Sequence, residues 1–521
     1  YHIKLPIFIA RQNVACPSNG SAGNTFMLYS SGGNPSNIYV YNNGTSLGVT
    51  AQSVTVGDVF KCAYDADTGK LWLGKNSDFY NSSGAVDGLA NPETGTNPTM
   101  TLTETEPLVA WVHSYSNAGT FNICNFGQDS SFAGNKATSN SNADGNGHGS
   151  FAYAPPSGFL ALCSQNLPEP AIIDGTEYFN TVLWTGNGSS ASDTQAVSGV
   201  NFSPDFVWIK NRTDAAAHIL NDSVRGAGKN IFSNTTAVEN SGGSTGDLFT
   251  SFDSDGFTVN YQYAGTTNAG TNQNSKAYVA WNWLAGTAFS NDASATSVGT
   301  IDSSGQVNTK AGFSIISYTG TGSAGSIAHG LSSKPELIIC KNRDTTDHWI
   351  IQSDIIGAAT SGYYLTFTAN AGASHSSLNT TLGSTTITLD TSATYNSSGN
   401  EHIMYAFHSV EGYCKIGTYT GSSALPFVYC GFKPAFLLIK SYSSALESWP
   451  IKDSVRSPNN ESTIESYANL NQSEYDDEYS NADFLSNGFR LQSNNVHANV
   501  TGSTYVFLAF AEQPFKFSNA R

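Results

Sequence analysis

The sequence predicts an all-β protein built from several β-sandwich domains. Short runs rich in Val, Ile, Thr, Tyr, Phe and Trp alternate with clusters of Gly, Asn and Ser about every ten residues, and long windows of helical periodicity are absent. Charged residues make up 12 % of the chain, against about 25 % in ordinary soluble proteins. Aromatic residues reach 12 %, which indicates packed cores rather than disorder. The 521 residues leave room for about three to four domains.

The charge balance and the apolar runs exclude two classes of partner. Lys and Arg number 23 against 40 acidic residues, so the net charge of −17 repels nucleic-acid phosphates and anionic lipid. The longest apolar runs, such as residues 505–511, are far shorter than the roughly 20 residues that span a bilayer. We therefore expect no nucleic acid as a partner and no membrane insertion. The chain opens on Tyr1 without a signal-peptide layout, so either residues precede Tyr1 or the chain was processed.

Residues 1–166 are predicted to form the first domain, a β-sandwich. Residues 60–64 alternate in polarity, residues 65–69 have turn composition and residues 70–74 return as a second strand, which indicates a hairpin. Asp65, Asp67 and Gly69 have the spacing that starts a calcium loop, but the third oxygen ligand and the later Glu are missing. We expect a turn in which the Asp side chains accept hydrogen bonds from nearby backbone N–H groups.

The rest of the chain contains three copies of one β unit. Each copy opens on a strand with an aromatic residue before Thr-Gly, at Trp184, Tyr318 and Tyr419. Each continues with an apolar strand that runs from a Pro to a Lys six residues later, at 204–210, 335–341 and 434–440. An Asp follows each of these strands, at Asp222, Asp354 and Asp453. An aromatic strand closes each copy, at 278–281, 403–407 and 505–510.

The repeats define the predicted domain boundaries after residue 166. The first repeat covers residues 167–289, the second 312–411 and the third 412–521. Residues 290–311 are rich in Gly, Ser, Ala and Thr and are predicted to be a linker. The second and third repeats follow one another without a linker, so we expect those two to pack as one rigid body.

The hairpin of the first domain resembles the core of a SPRY domain. The residues that carry the likeness are 56–59, 65–72 and 75–76. SPRY domains are β-sandwiches used for recognition. The resemblance therefore implies a SPRY-like or lectin-like sandwich ahead of the three repeated β-sandwich modules.

The three repeats resemble a repeated C-terminal module in virion proteins of tailed bacteriophages, especially marine and cyanobacterial phages. The likeness rests on residues 184–186, 204–212, 222–226, 254–259, 312–320 and 515–521. In that family a SPRY-like module often precedes the repeats, and the proteins are similar to tail fibres, appendages or head fibres without a settled biochemical activity. The resemblance implies a place in the extracellular phage particle, beside other virion proteins.

No motif indicates an enzyme, a cofactor or a metal. The seven cysteines are odd in number and contain no C-x-x-C pair, so they indicate neither a disulfide framework nor a zinc site. The repeated Lys and Asp would need three active sites if they were catalytic. We instead expect a framework role, in which a Lys to Asp contact braces each sandwich.

One acidic and aromatic run is a candidate binding site. Residues 474–479 read Glu-Tyr-Asp-Asp-Glu-Tyr in a predicted loop. The simplest interpretation is a solvated loop tip. The functional alternative is a cation-bridged or sugar-stacking contact that uses Tyr475, Asp477 and Tyr479.

These observations predict a structural, non-enzymatic virion protein, and a tail fibre or appendage that recognises host cell-surface glycans fits them best. Repeated modules would multiply weak sites through effective concentration. By analogy with phage fibres, we expect a homotrimer. Two alternatives remain open: a head fibre or capsid decoration protein, and a secreted bacterial polysaccharide-binding adhesin or hydrolase.

Overall fold

The computed structural model confirms an all-β fold with several antiparallel sheets. It describes residues 58–102, 123–137, 140–190, 192–240, 248–261, 270–356, 364–367, 380–443, 447–476 and 481–518, and it gives a few further strand residues by their backbone alone. The chain divides into two compact units, Tyr1–Pro168 and Glu169–Arg521. This division falls two residues beyond the predicted end of the first domain.

The first unit contains two antiparallel sheets, with the orders β1-β6-β7-β8, in which β9 also pairs with β7, and β10-β2-β3-β4-β5. The predicted hairpin is confirmed, since β6 and β7 pair from Phe60 opposite Lys75 to Asp65 opposite Lys70. Asp65 Oδ1 accepts a hydrogen bond from the Asp67 N–H at 3.1 Å, as the turn interpretation predicts. The strands are β1 (Lys4–Leu5), β2 (Ile9–Arg11), β3 (Thr25–Ser30), β4 (Ile38–Asn42), β5 (Thr45–Thr50), β6 (Phe60–Asp65), β7 (Lys70–Lys75), β8 (Asp78–Phe79), β9 (Met100–Thr101) and β10 (Leu108–Val109).

The first repeat forms a two-sheet sandwich, here called the first module. Its larger sheet has the order β11-β17-β13-β14 and its smaller sheet the order β12-β16-β15. A tight turn of two residues, Ser254 and Asp255, joins β15 to β16. The strands are β11 (Phe179–Thr185), β12 (Thr194–Ser198), β13 (Phe206–Asn211), β14 (Ile219–Asp222), β15 (Phe249–Asp253), β16 (Gly256–Asn260) and β17 (Ala277–Trp283).

The second module repeats this plan, with two extra strands in its larger sheet. Its larger sheet has the order β18-β19-β20-β27-β22-β23, and β21 pairs with β26 in the smaller sheet. A further pair, β24 and β25, lies outside these sheets. The strands are β18 (Thr287–Asn291), β19 (Ser303–Asn308), β20 (Phe313–Thr319), β21 (Gly325–Ala328), β22 (Leu337–Asn342), β23 (Ile350–Ser353), β24 (Tyr363–Tyr364), β25 (Ser374–His375), β26 (Thr386–Leu389) and β27 (Glu401–Phe407).

The third module has a larger sheet of order β28-β36-β30-β31-β32-β33 and a smaller sheet of order β29-β35-β34. Besides the strands, the described residues include two α-helices of one turn, Ala293–Thr296 and Ala393–Asn396, and 3-10 turns at Ser164–Asn166, Gly175–Glu177 and Asp354–Ile356. The strands are β28 (Cys414–Thr420), β29 (Phe427–Tyr429), β30 (Phe432–Ser441), β31 (Pro450–Asp453), β32 (Ile464–Tyr467), β33 (Tyr475–Asp476), β34 (Ala482–Leu485), β35 (Gly488–Leu491) and β36 (Thr504–Pro514).

Residues 290–311, predicted to be a linker, are folded instead. β18 pairs with β19, and β19 pairs with β20, so this segment extends the larger sheet of the second module. Asp292 caps the short helix between the two strands by accepting hydrogen bonds from the Ser294 and Ala295 N–H groups. Small polar residues suit a strand near the edge of a sheet, where much of its surface faces solvent, and composition alone therefore suggested a linker.

The three modules share one aromatic core. All six residues of β13 and of β22 are buried, because each larger sheet packs on both faces. One face covers the smaller sheet of its own module, and the other face meets the neighbouring modules. The Phe206 ring stacks on Tyr405 with centroids 4.3 Å apart, Phe179 stacks on Phe510 at 5.1 Å, and Phe407 meets Phe510 edge-on at 6.0 Å. The second unit is therefore one body of three modules, a wider packing than the expected pairing of the second and third repeats.

Candidate functional site

Tyr475, one of the three predicted binding residues, lies beside the interface between the first and third modules, next to Glu474, which binds Arg212. Tyr475 begins the two-residue strand β33, and its side chain is 56 % exposed. Asp477 and Tyr479 lie outside the described residues. Of the three predicted residues, Tyr475 is the one that the structure describes.

Glu474, which precedes Tyr475, is fixed by an ion pair and does not lie in a solvated tip. Its carboxylate accepts two hydrogen bonds from Arg212 of the first module, at 2.6 Å from Nε and 2.9 Å from Nη2. Its backbone N–H donates to the Arg212 carbonyl at 3.0 Å, and Arg456 Nη1 lies 3.5 Å from the carboxylate. Hydrogen bonding to Glu474 raises the pKa of Arg212. The interpretation as a solvated tip is wrong for Glu474, because the neighbouring module supplies a partner that sequence spacing does not reveal.

The interface between the first and second modules repeats this arrangement. Arg343 of the second module binds Glu239 of the first module at 2.8 Å from Nε and 3.0 Å from Nη2. The Glu239 N–H donates to the Arg343 carbonyl at 2.8 Å, and Arg225 Nη1 lies 3.2 Å from the carboxylate. Burial alone would raise the pKa of Glu239, but the two arginines hold it below its ordinary value. Two of the three interfaces therefore have equivalent arrangements, in which two arginines surround one glutamate.

A buried Asp and Arg pair lies next to each glutamate. Asp222 binds Arg225 and Asp453 binds Arg456, each at 2.5 Å, with all four side chains inaccessible to solvent. A ring from the next module donates to each aspartate: the Tyr405 hydroxyl to Asp222 at 2.7 Å, and Trp281 Nε1 to Asp453 at 3.1 Å. These donors satisfy carboxylate oxygens that would otherwise be costly to bury.

The corresponding place in the second module holds Ser353 and Ile356, with Leu508 of the third module, instead of a charged pair and a ring donor. Phe206 lies opposite Asp222, Leu337 opposite Ser353, and Phe436 opposite Asp453, so Ser353 takes the position of the two aspartates. The predicted equivalence of Asp354 is therefore wrong by one residue, and Asp354 instead forms an ion pair with Lys334. Three positions later, Ile356 replaces the arginines. Leu508 stands where the other interfaces have the donors Tyr405 and Trp281. The equivalence follows from the pairing, because Leu438 lies opposite Leu508 as Trp208 lies opposite Trp281.

The repeated lysines bind carbonyl groups, and two of them, Lys210 and Lys341, do so across an interface. In its own module each ammonium group donates to a loop carbonyl: that of Ala216 for Lys210, Asp347 for Lys341 and Glu447 for Lys440. Across an interface, Lys210 also donates to Asn471 O at 3.2 Å, and Lys341 donates to Thr236 O at 3.3 Å. The expected Lys to Asp contact is wrong, because Asp222 and Asp453 bind the Arg three residues further on and Asp354 binds Lys334 rather than the repeated Lys341. Burial lowers the pKa of Lys210 to about 7 and those of Lys341 and Lys440 to about 8.

At each of the three interfaces a ring nitrogen bonds to a backbone carbonyl of the neighbouring module. The donor is the residue that precedes the strand after the Pro-to-Lys strand of each module, that is, the residue before β14, β23 or β31. The pairs are His218 Nε2 with Tyr467 O at 2.9 Å, Trp349 Nε1 with Phe232 O at 2.9 Å, and Trp449 Nε1 with Thr366 O at 3.0 Å. The contacts run from the first module to the third, from the second to the first and from the third to the second. The arrangement is therefore cyclic.

A buried histidine, His329, is expected to make the second unit sensitive to acid. His329 Nδ1 accepts from the Leu331 N–H at 3.1 Å, so the neutral ring carries its proton on Nε2, which faces Gly383 O at 3.3 Å. Burial lowers the pKa of His329 from 6.5 to about 4. Between these values the unfolded chain binds a proton that the folded chain does not, so stability is full above pH 6.5 and falls as the pH drops towards 4.

We expect His329 to account for a loss of about 2 kcal/mol in the free energy of unfolding between pH 7 and pH 5. Urea unfolding at the two pH values measures the loss. His329→Asn removes the titrating group and should make the loss smaller by about that amount. An equal loss in the natural chain and the variant would show that His329 is not the group responsible.

Other features of the described residues point to no reaction centre. In that part of the chain, no three His, Cys, Asp or Glu side chains come together in a way that could hold a metal ion. No helix in the same part has the length and apolarity needed to cross a membrane. The first unit has a shallow open cleft of about 180 Å³ against Phe126, Gln128 and Cys163. The Gln128 amide is already bonded to the backbone of Phe126 and Cys124, at 2.6 and 2.7 Å.

Sequence reasoning missed the interface arginines and glutamates. Arg212 and Arg343 each stand two residues after a repeated lysine, and that recurrence was a usable signal. Glu239 and Glu474 follow Asp222 and Asp453 at different distances, so no fixed spacing links the two glutamates.

The fold and these interfaces define the second unit as three β-sandwich modules closed into one body. Residues 174–514, about two thirds of the chain, match the model of a domain of unknown function, DUF7483, and the chain belongs to this family. One match spans all three modules, from the residue before the turn Gly175–Glu177 to the end of β36. Neither a curated protein nor a solved structure matches the chain.

Proposed function

We propose that this chain is a non-enzymatic protein of a tailed-phage particle, a tail fibre or appendage that binds host-surface glycans. The observation that carries the proposal is the closure of three repeats into one body through a shared aromatic core and buried ion pairs. A part that must keep its shape outside a cell benefits from having no weakly held domain, because local unfolding begins where packing is sparse. The resemblance of the repeats to phage virion modules supports the location in a particle.

Tyr475 supports the glycan-binding part of the proposal. An exposed tyrosine offers an apolar ring for a sugar face and a hydroxyl for hydrogen bonding. The preceding Glu474 is held by Arg212 and Arg456, so little backbone freedom is lost when a ligand binds. The outer position leaves the ring accessible, whereas the repeated charged residues are occupied at the interfaces.

We expect Tyr475→Ala to weaken glycan binding by at least about tenfold, which corresponds to about 1.4 kcal/mol. An array of bacterial surface polysaccharides probed with the labelled full chain measures the binding. Tyr429→Ala is a matched control, because Tyr429 is also 56 % exposed and lies in the same module. Equal binding by the natural chain and Tyr475→Ala would remove Tyr475 from the proposal, and no binding to any polysaccharide would contradict the glycan receptor.

We further propose that the chain assembles as a homotrimer beside other virion proteins. Three copies would present three Tyr475 side chains, and their effective concentration would strengthen weak contacts to a polymeric surface. Sedimentation equilibrium measures the mass, and a stable single chain would contradict the trimer. Antibody labelling of purified particles tests the location: labelling of the tail is expected, and labelling of the capsid would favour the head fibre or decoration protein.

A further inference from the structure

The second module shows how an additional strand docks on the larger sheet. β19 pairs with the outer side of β20, from Asn308 opposite Phe313 to Ser304 opposite Ser317. β11 and β28 hold the place of β20 in the other two modules. Each of them is the last strand of its sheet, and no described strand pairs with its outer side.

The outer side of β11 presents four neighbouring backbone groups. The Gly186 N–H bonds to Lys276 O across the pairing with β17, which turns the backbone groups of Thr181, Leu183 and Thr185 outward. The Thr181 N–H is bonded to Asn180 Oδ1 at 2.9 Å, and the Thr185 carbonyl accepts from Gln195 at 3.1 Å. Within the described residues, the Thr181 C=O, both groups of Leu183 and the Thr185 N–H make no hydrogen bond.

The outer side of β28 has the same four backbone groups without a hydrogen bond in the described part of the chain. The Ile416 N–H, which corresponds to that of Thr181, is bonded to Ser409 Oγ at 3.0 Å. The Ile416 C=O, both groups of Thr418 and the Thr420 N–H face outward without a hydrogen bond in the part of the chain that is described. Thr418 and Thr420 are exposed. In both modules a side chain thus occupies one N–H. Thr181 and Ile416 are themselves only 6 % and 3 % exposed, so the accessible stretch of edge is Leu183 to Thr185 on β11 and Thr418 to Thr420 on β28.

The composition of β11 does not protect this edge. Open edges are commonly blunted by charged residues or proline, and β11 contains neither in Phe-Asn-Thr-Val-Leu-Trp-Thr. Leu183 is 39 % exposed on it. In the second module the equivalent edge is covered, and that covering strand shows which occupant fits.

The covering strand β19 is an uncharged segment of small residues, Ser-Ser-Gly-Gln-Val-Asn. Its Gly305 lies opposite Ile316, and a Cβ on Gly305 would stand 1.8 Å from the Ile315 carbonyl oxygen. Val182 and Gly417 take the place of Ile316 in the other modules. A strand that docks in the same register therefore needs glycine opposite them.

We propose that β11 and β28 are docking edges for an extended, uncharged, glycine-containing segment of a partner protein, which adds as an outer strand in the way that β19 adds to β20. Main-chain hydrogen bonds supply the affinity in this mode of recognition, and the register of side chains supplies the specificity. A second copy of the chain does not offer its own β19 for this role, because β19 is already paired with β18 and β20. The proposal stands independently of glycan binding.

The test uses the full chain and a capped synthetic peptide with the sequence of residues 303–309, Ser-Ser-Gly-Gln-Val-Asn-Thr. Hydrogen exchange with and without peptide measures protection of the amides of Leu183, Thr185, Thr418 and Thr420. We expect exchange at these amides to slow about tenfold when free peptide is at about nine times its Kd. A peptide with valine in place of Gly305 should give no protection.

Two variants locate the binding. Leu183→Pro removes one outward N–H and is compatible with an edge strand, so it should abolish protection at β11 and leave β28 protected. Thr418→Pro should do the reverse, and each variant thus serves as the control of the other. Absence of protection at both edges at millimolar peptide, or equal protection by the valine peptide, would overturn the proposal.

Discussion

Replacement of Phe206 by Ala is expected to lower the free energy of unfolding of the second unit by about 3–5 kcal/mol. Phe206 is 2 % exposed, and its ring lies 5.1 Å from Trp283 of its own module. It also meets Phe313 at 6.2 Å and Tyr405 at 4.3 Å in the second module. These rings belong to different sheets that cannot all move inward, so a cavity would remain. Denaturant unfolding followed by circular dichroism measures the change.

Tyr429→Ala provides the control for this substitution. The Tyr429 side chain is 56 % exposed, so its loss should change the unfolding free energy by no more than about 0.5 kcal/mol. A Phe206→Ala effect as small as that of Tyr429→Ala would show that the aromatic contacts between modules contribute little to stability.

The second large effect is expected from Asp222→Ser, which should cost about 3–5 kcal/mol. The substitution leaves the fully buried Arg225 side chain without its 2.5 Å partner and leaves the Tyr405 hydroxyl without its acceptor. Breaking one side of a buried ion pair costs more than replacing the whole pair by apolar side chains. Chemical unfolding of the variant measures the loss.

The second module suggests the compensating change. There, Ser353 and Ile356 take the places of Asp222 and Arg225, and the facing position is Leu508. The triple variant Asp222→Ser, Arg225→Ile, Tyr405→Phe copies this apolar solution and keeps the ring that stacks on Phe206. We expect it to be more stable than Asp222→Ser alone by about 1–3 kcal/mol. A triple variant less stable than the single one would contradict the view that the two kinds of interface are interchangeable.

The sequence predicted the class of fold, the main hairpin and the repeating strands, because those depend on local alternation and turn residues. It also contained a sign of the shared core. Residues 206–209, 337–340 and 436–439 are continuous apolar runs, and such runs are typical of strands that are buried on both faces. That pattern indicated that each larger sheet is buried on both faces, but it did not indicate that the other modules bury the second face.

The interfaces were beyond prediction from the sequence, because their partners are far apart along the chain. Arg212 and Glu474 are 262 residues apart, and nothing local distinguishes Glu474 from the acidic residues that follow it. The segment 290–311 was wrongly predicted to be a linker because its composition was considered without its neighbours. Its small polar residues are typical of linkers, whereas its pairing with β20 depends on a neighbouring strand.

The most direct test of the central claim, that three modules unfold as one body, uses buried thiols as reporters. Cys340 lies in the second module and Cys414 in the third, each 1 % exposed, and burial raises the pKa of both thiols. Pulse labelling with a thiol reagent across a urea series, read by peptide mass spectrometry, gives a midpoint for each cysteine. We predict that the two midpoints coincide and that Phe206→Ala, in the first module, lowers both equally. Separate midpoints, or a Cys340 midpoint that Phe206→Ala leaves unchanged, would contradict the account.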